Sequence, residues 1–124
     1  ETNGLRAFAE AEGLAVFPYY ALAKGFLAGK YRAEGDLAAP GASVRAAGAA
    51  EYLNDSGLAV LAALDAIAAS RGIDQAAVAL AWLRQQPTIA APIASARTME
   101  QLPSLLASLS LELSDDELRS LSEA

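Results

Sequence analysis

The sequence predicts an α/β fold in which parallel strands are covered by helices, and three observations support this prediction. Short apolar stretches, "GLAVFPY" at 13–19 and "TIAAPI" at 88–93, are typical of strands buried on both faces. Stretches with helical spacing of apolar residues lie before, between and after them. Such alternation favours parallel pairing. Because two strands are too few for a covered parallel sheet, the pattern indicates a slice of a larger α/β sheet or barrel.

The composition bounds the function. A chain of 124 residues suits one domain, and a hydrophobic content of 54% predicts a buried core. About a quarter of the residues are alanine, which favours closely packed helices. The net charge of −6, without a basic run, argues against nucleic acid and anionic membranes as partners. Without cysteine and histidine, disulfides, thiolate catalysis, histidine triads and metal sites built on these residues are excluded.

The chain also lacks the apolar run of a membrane span and the charged start of a signal peptide, so we expect a soluble, cytoplasmic protein. The first residue is Glu1 rather than methionine. We therefore expect either a processed chain or a piece of a longer one.

Helix signals flank the first predicted strand. Thr2 to Glu12 reads as a helix that Gly13 ends. After the strand, Arg32 to Asn54 has little periodicity and reads as a long surface excursion with a short helix near Tyr52. Such a segment is either a functional lid or a mobile connection.

Two helices are predicted between the strands. The first ends at Gly72, and the second runs from Gln75 to Gln86 after Asp74 as its N-cap. We interpret Trp82 of the second helix as a core residue. The first helix is indicated by apolar residues at helical spacing: Leu58, Leu61, Leu64 and Ile67.

Two further helices follow the second strand. Thr98 and Gln101 have the spacing of a capping box, which starts a helix at Met99 that Pro103 should kink. Ser114 and Glu117 form another capping box. The acidic pair Asp115 and Asp116 in that first turn reads as dipole stabilisation rather than as a metal site.

The loops after the two predicted strands share a composition. Each combines small residues with a cation, Lys24 and Gly25 in the first and Ser95 and Arg97 in the second. Small residues let backbone N–H groups approach an anion, and the helix beginning at Met99 directs its own N–H groups toward the second loop. Turn glycines and solvated surface charges would explain each loop separately. Taken together, the loops fit the phosphate site that β/α barrels often build after strands seven and eight.

The same residues carry a family resemblance. The stretches "PYYALAKGFLAGKY" and "AVALAWLRQQPTIAAPIASARTMEQL" resemble the seventh strand and its loop, and the helix, eighth strand and loop, of aldo-keto reductases. The resemblance implies a partial (β/α)8 TIM barrel, α/β in class, with residues 1–124 as its incomplete C-terminal segment. It is weakest between Arg32 and Asn54.

The resemblance also implies a nicotinamide dinucleotide site. Tyr19 would stack on the nicotinamide ring, Ser95 and Arg97 would lie at the 2′-phosphate of NADP, and Gln101 would reach the adenine side. Ser104 and Leu105 stand where the family often has glutamate and asparagine. The loop over the pyrophosphate would comprise Ala21, Leu22, Gly25 and Leu27.

No residue of this chain matches the family's catalytic tyrosine, lysine or aspartate, so we assign no catalytic residue and expect this chain alone to be inactive. The first hypothesis is the C-terminal cofactor-binding portion of an NADP-dependent aldo-keto reductase, a protein that reduces aldehydes or ketones by hydride transfer. The second is a non-enzymatic dinucleotide-binding or interaction module. The third is a helical scaffold in which both loops are turns. The choice between NADP and NAD stays open.

Overall fold

Two neighbouring helices, α4 (Asp55–Arg71) and α5 (Gln75–Arg84), form the centre of the computed structural model, which describes residues 4–39 and 46–124. A tight turn at Gly72 joins them. The other helices are α1 (Leu5–Ala11), α2 (Glu34–Leu37), α3 (Ala46–Ala49), α6 (Leu102–Ala107) and α7 (Asp115–Glu123), and 3-10 turns cover Ala23–Ala28, Ala50–Tyr52 and Met99–Gln101.

The core lies between α4 and α5 and the segments that flank them. Leu61 of α4 and Val78 of α5 are almost fully buried, and Phe26 joins them from the first loop. Burying side chains of this size contributes about 1.5–3 kcal/mol each. Ala77 and Ala81 are completely buried, which confirms the prediction that alanine-rich helices pack closely. Trp82 is only partly buried against this core, and its indole N–H donates to Ser122 Oγ at 3.2 Å.

The ends of α4 follow from its sequence. Asn54 Oδ1 accepts the N–H of Gly57 at 2.9 Å and so caps the first turn. Gly72 has φ 62°, the left-handed conformation in which glycine carries no steric penalty, and it ends the helix as predicted. Asp74 is the N-cap residue of α5, as predicted, but its side chain makes no capping hydrogen bond. It instead accepts a hydrogen bond from the hydroxyl of Ser104 on α6.

The capping box of α7 is confirmed. Ser114 Oγ accepts the N–H of Glu117 at 3.3 Å, and Glu117 Oε2 accepts the N–H of Ser114 at 2.7 Å. Glu117 also binds Arg71, the last residue of α4, through two hydrogen bonds of 2.7 and 2.5 Å. The Arg71 guanidinium lowers the pKa of Glu117 to about 2. The C-terminal helix is therefore tied to the centre by a charge-assisted pair.

The helix predicted to start at Met99 begins with a 3-10 turn and becomes α-helical at Leu102. The capping box is wrong, because Gln101 Oε1 accepts the N–H of Arg97, not of Thr98. The predicted kink is wrong as well. Pro103 lies in the first turn of α6, where a missing N–H costs no intrahelical bond.

The two predicted strands lie side by side and parallel, but the described residues contain no regular strand. Val16 N–H donates to Thr88 O and Ala90 N–H donates to Val16 O, both at 2.9 Å, so that Val16 and Ile89 form an isolated parallel bridge. The prediction of neighbouring, parallel extended segments is confirmed, and the prediction of continuous strands is wrong.

Two prolines explain why the ladder stops at one bridge. In the register that pairs Val16 with Ile89, position 18 would lie opposite position 91. The next two hydrogen bonds of a parallel ladder would then need the N–H groups of residues 18 and 92 as donors. Both residues are proline and have no N–H. Ile93 N–H bonds to Pro18 O at 2.9 Å instead, one residue out of register.

The prediction that these segments are buried on both faces is also wrong for the described residues. Leu14, Phe17 and Ile93 are 50%, 55% and 51% exposed. In helix α1, Leu5 and Phe8 are also exposed by more than half. We call these exposed side chains of α1 and the extended segments the apolar strip; they are Leu5, Phe8, Leu14, Phe17 and Ile93.

The remaining helix predictions hold in outline. Helix α1 ends where Gly13, with φ 63°, bonds to Glu10 O and Leu14 bonds to Ala9 O. The predicted short helix near Tyr52 corresponds to α3 and the 3-10 turn after it. Residues 1–3 of the predicted first helix and residues 40–45 of the excursion lie outside the described residues.

Within residues 4–39 and 46–124, no single helix is long and apolar enough to cross a membrane. The segments Ala46–Tyr52 and Asp55–Arg71 reach that length and apolarity only together, and they are bent by 97°.

Candidate functional site

The first loop turns sharply just beyond the extended segment. Ala23, Lys24 and Gly25 have φ values of 46°, 58° and 98°, three consecutive residues in a region that side chains other than glycine rarely adopt. Phe26 and Tyr31 on either side of the turn are 1% and 4% exposed and anchor it in the core. The packing of these two rings holds a strained backbone in place.

Lys24 is fixed by partners from α3 and the turn that follows it. Its Nζ lies 2.6 Å from Glu51 Oε1 and 5.6 Å from the centre of the Tyr20 ring. Its side chain also covers Gly48, where a Cβ would stand 2.6 Å from Lys24 Cδ. The hydrogen bond from Lys24 lowers the pKa of Glu51 and, reciprocally, raises the pKa of Lys24. Lys24, which the sequence analysis predicted as a cation that binds an anionic ligand, therefore already pairs with the carboxylate of Glu51.

A second network fixes the end of this loop. Arg32 donates two hydrogen bonds to Asp65 of α4, at 2.5 and 2.8 Å, and one to Gln75 Oε1 at 3.2 Å. Gln75 is buried and its Nε2 donates to Leu61 O at 3.0 Å. The paired Arg32 guanidinium lowers the pKa of Asp65. Gly29 has φ 73°, and a Cβ there would lie 2.2 Å from Gln75 Oε1.

The second loop is held by its own short-range bonds. Gln101 Oε1 accepts the N–H of Arg97 at 2.9 Å, which folds the loop back on the start of the following turn. A hydrogen bond from the Thr98 side chain lowers the pKa of Glu100. Ser95 and Arg97 are exposed. The second loop thus presents one serine and one guanidinium at the surface of the molecule.

Both loops line one cleft of about 550 Å³. This volume is ordinary for a small-molecule or cofactor site. The first loop contributes Tyr19 to Leu22, Lys24, Gly25 and Ala28 to Arg32; the start of α5 contributes Asp74 to Ala76; the second loop and α6 contribute Ile93 to Ser95, Arg97, Glu100, Gln101, Ser104 and Leu105.

The lining has the opposite charge to the chain. Four of the nine basic residues in the sequence line the cleft, whereas two of the fifteen acidic residues do, Asp74 and Glu100. The four cations are Lys24, Lys30, Arg32 and Arg97. The lining is therefore net +2 in a chain of net charge −6. A cleft of one sign concentrates ligands of the other, so this lining favours an anion. Glu51 and Asp65, which lie outside the lining, neutralise part of that charge through their pairs with Lys24 and Arg32.

An aromatic wall stands where the first loop leaves the extended segment. The rings of Tyr19 and Tyr20 lie with their centres 4.2 Å apart and tilted by 48°, and Tyr19 is 68% exposed. Tyr19 Oη donates to Tyr20 Oη at 3.3 Å. An exposed ring beside a cationic cleft offers a flat surface for stacking.

The structure brings seven of the eight predicted cofactor-binding residues around this cleft. Leu27 is the exception, since its side chain is partly buried against the core instead of lining the cleft. The other seven are Tyr19, Ala21, Leu22, Gly25, Ser95, Arg97 and Gln101.

Sequence reasoning missed several lining residues, above all Lys30, Arg32, Asp74 and Gln75. Lys30 belongs to the quoted first-loop stretch but was not among the predicted site residues, and Arg32 was read as the start of the surface excursion. Asp74 and Gln75 were read as the start of a helix. No local signal marked Arg32, because its partner Asp65 lies 33 residues further along the chain.

Comparison with known proteins gives the family. The model of the "Aldo/keto reductase family" matches residues 1–124. The chain is 36% identical over 115 residues to Protein tas of Escherichia coli (strain K12), and equally to Protein tas of Shigella flexneri. The match covers 93% of this chain and 33% of each relative, so the chain spans about a third of the length of these curated proteins.

This chain belongs to the aldo/keto reductase family, a family of oxidoreductases that in general bind nicotinamide dinucleotides and share a (β/α)8 barrel. The resemblance drawn from the two loops is confirmed at the level of the family.

Proposed function

We propose that residues 1–124 are the C-terminal cofactor-binding portion of an NADP-dependent aldo-keto reductase. In this proposal the chain is an incomplete segment of a barrel domain in a cytoplasmic protein. The complete protein would reduce aldehydes or ketones by hydride transfer, and the portion without the catalytic residues would be inactive alone. The observation that carries the proposal is the cationic cleft between the loops that follow two parallel neighbouring segments.

The lining residues fit a dinucleotide in chemistry and in arrangement. Tyr19 offers an exposed ring to the nicotinamide, and small residues such as Ala21 and Gly25 allow the backbone to approach the pyrophosphate. Ser95 and Arg97 suit the 2′-phosphate, which a guanidinium binds through two hydrogen bonds. When bound, the cofactor would supply the hydride. The residues of this chain would bind and orient it.

The test is the affinity of the complete product of the open reading frame that encodes this chain. Replacing Arg97 with alanine should weaken NADPH binding by about tenfold, because a charge-assisted contact to phosphate is lost. Arg97→Lys should restore only part of the affinity, since an ammonium does not reproduce the bidentate geometry. Arg119→Ala on α7 is the control, because Arg119 pairs with Asp116 outside the cleft. Unchanged NADPH affinity in Arg97→Ala would support a scaffold in which the loops are merely turns.

The second candidate is a non-enzymatic dinucleotide-binding or interaction module. What favours it is the resemblance itself, by which none of the chain's four tyrosines, Tyr19, Tyr20, Tyr31 and Tyr52, stands at the family's catalytic position. The reading frame upstream of Glu1 separates the two candidates. A frame that encodes those three residues, with turnover of a carbonyl substrate, supports the reductase. Tight NADPH binding by the complete product without turnover supports the module.

A further inference from the structure

Two of the cations that line the cleft are paired with carboxylates outside the lining, and the two pairs are held differently. Arg32 binds Asp65 through two hydrogen bonds and also donates to the buried Gln75. Lys24 makes a single hydrogen bond of 2.6 Å from its Nζ to Glu51 Oε1. The Arg32 pair is fixed by its two-pronged geometry, whereas the ammonium of Lys24 is able to exchange one acceptor for another.

The backbone is anchored at both ends of the Lys24 pair. On the first loop, Phe26 follows Lys24 and is 1% exposed. Beside Glu51, Ala49 is completely buried, and the Tyr52 ring lies with its centre 5.7 Å from that of Phe26. The two chain segments are therefore packed against each other. The carboxylate of Glu51 stays within reach of the ammonium whether or not the cleft holds a ligand.

The side chains of the pair, in contrast to their backbone, reach solvent. The side chains of Lys24 and Glu51 are 25% and 56% exposed. Lys24 Nζ lies 5.6 Å from the centre of the Tyr20 ring, which lines the cleft, so the ammonium stands between the cleft and the carboxylate. Ion pairs at such exposed positions contribute little to stability. An anion in the cleft and Glu51 would thus compete for the same ammonium.

We propose that Glu51 is an internal counter-ion for Lys24 that weakens the binding of anionic ligands to the cleft. The inference rests on the proposed function, in which the anion is the phosphate part of NADPH. A bound dinucleotide would have to displace Glu51 from the ammonium or share the ammonium with it. The opposite role is a positioning one, in which Glu51 holds Lys24 in the orientation that binds phosphate. The two roles predict changes in affinity of opposite sign.

The test measures the dissociation constant of NADPH by fluorescence titration on the complete product of the open reading frame. Glu51→Gln removes the charge but keeps a side-chain carbonyl that accepts a hydrogen bond from Lys24, so the loop keeps its contact. This variant should bind NADPH about threefold more tightly at low ionic strength, because phosphate no longer competes with a carboxylate.

Glu112→Gln is the matched control. It changes the net charge by the same amount, and Glu112 pairs with Arg84 at 2.8 Å outside the cleft. Its affinity for NADPH should equal that of the unsubstituted protein. The gain in Glu51→Gln should also become smaller at about 1 M salt, where the Debye length is about 3 Å.

A double-mutant cycle assigns the effect to the pair. Lys24→Met keeps an unbranched side chain without the ammonium and should weaken NADPH binding by about threefold to tenfold. Adding Glu51→Gln to Lys24→Met should then leave the affinity unchanged, because the competition requires the ammonium.

The outcomes separate this inference from the proposed function. Tighter binding in Glu51→Gln that disappears in the Lys24→Met background supports the inference. Unchanged or weaker binding in Glu51→Gln overturns it and leaves the proposed function standing. Equal tightening in Glu112→Gln also overturns it, since the net charge of the chain would then set the affinity. Absence of NADPH binding in both the unsubstituted protein and Glu51→Gln overturns the proposed function and this inference with it.

Discussion

Gly29 lets the backbone of the first loop lie against the hydrogen-bond network of Arg32 and Gln75. Its φ of 73° puts any other residue under strain, and a Cβ would overlap Gln75 Oε1, the acceptor for Arg32. Gln75 is buried and bound at both ends of its amide, so it cannot swing away without breaking a bond. One missing side chain thus permits the contact between the loop and α5.

Gly29→Ala should therefore destabilise the protein by about 2–4 kcal/mol, the sum of left-handed backbone strain and a displaced buried amide. The matched control is Gly13→Ala, because Gly13 has a φ of 63° and nothing within 4 Å of the added Cβ. That variant should cost about 1 kcal/mol from strain alone. Denaturant unfolding of the complete product measures both. Equal losses in the two variants would contradict the role assigned to the Gln75 contact.

Single residues also mark the limit of sequence reasoning. Asp74 has every local feature of an N-cap, yet its carboxylate binds Ser104, thirty residues away. Lys24 was foreseen as a solvated or ligand-binding cation, but Glu51 compensates it across 27 residues. A local pattern states which bonds a side chain can make, whereas the tertiary fold selects the one it does make.

Helices were predictable because their signals are local. The ends of α4 and α7 follow from Asn54, Gly72 and the Ser114–Glu117 box, all within four residues of the bonds they make. The extended segments were predictable as neighbours but not as a ladder, because hydrogen bonding there depends on a register between residues far apart in the chain. The prolines at 18 and 92 were visible, but their effect requires that register.

The link between α4 and α7 predicts a pH dependence. Arg71 lowers the pKa of Glu117 from 4.5 to about 2, so the ionised form is favoured in the folded state. A group with a lowered folded-state pKa adds stability that is complete above pH 4.5 and is lost as the pH falls toward 2. Glu117→Gln should thus lower the free energy of unfolding at pH 7 by about 1–2 kcal/mol and flatten its decline over that range.

The measurement is denaturant unfolding of the complete product at pH 7, 4 and 3, for the unsubstituted protein and for Glu117→Gln. Asp116→Asn is the control, because Asp116 is 91% exposed and its pair with Arg119 stays within α7. A decline in the free energy of unfolding between pH 7 and 3 that is identical in Glu117→Gln and the unsubstituted protein would show that the Arg71 pair does not contribute to it.

At the scale of the whole molecule, the apolar strip along the extended segments is the main exposed feature. Phe8, Phe17 and Ile93 are each more than half exposed, and one bridge joins the two segments. Patches of this kind normally meet another surface. The curated relatives are about three times as long as this chain, so they have residues that could cover such a strip.

We therefore expect residues 1–124, expressed alone, to self-associate or to lack a cooperative thermal transition. Unsatisfied strand edges and exposed aromatic side chains both favour association. Size-exclusion chromatography with light scattering, together with a thermal melt followed by circular dichroism, tests the expectation. Phe17→Ser should reduce the association if the strip causes it. A monodisperse monomer with a sharp transition would refute it.

The two prolines that interrupt the ladder have a consequence for how the cleft tolerates changes in length. Beyond Val16 and Ile89 the described residues form no regular ladder, so the start of each loop depends on its count of residues from that bridge, whereas buried rings and the Gln101 bond hold the loops further along. Side chains alternate along extended backbone, so one residue inserted between Val16 and Tyr19 would turn the Tyr19 ring away from the cleft. The number of residues between Val16 and Tyr19 is therefore itself a constraint on this site, whichever residues fill that stretch.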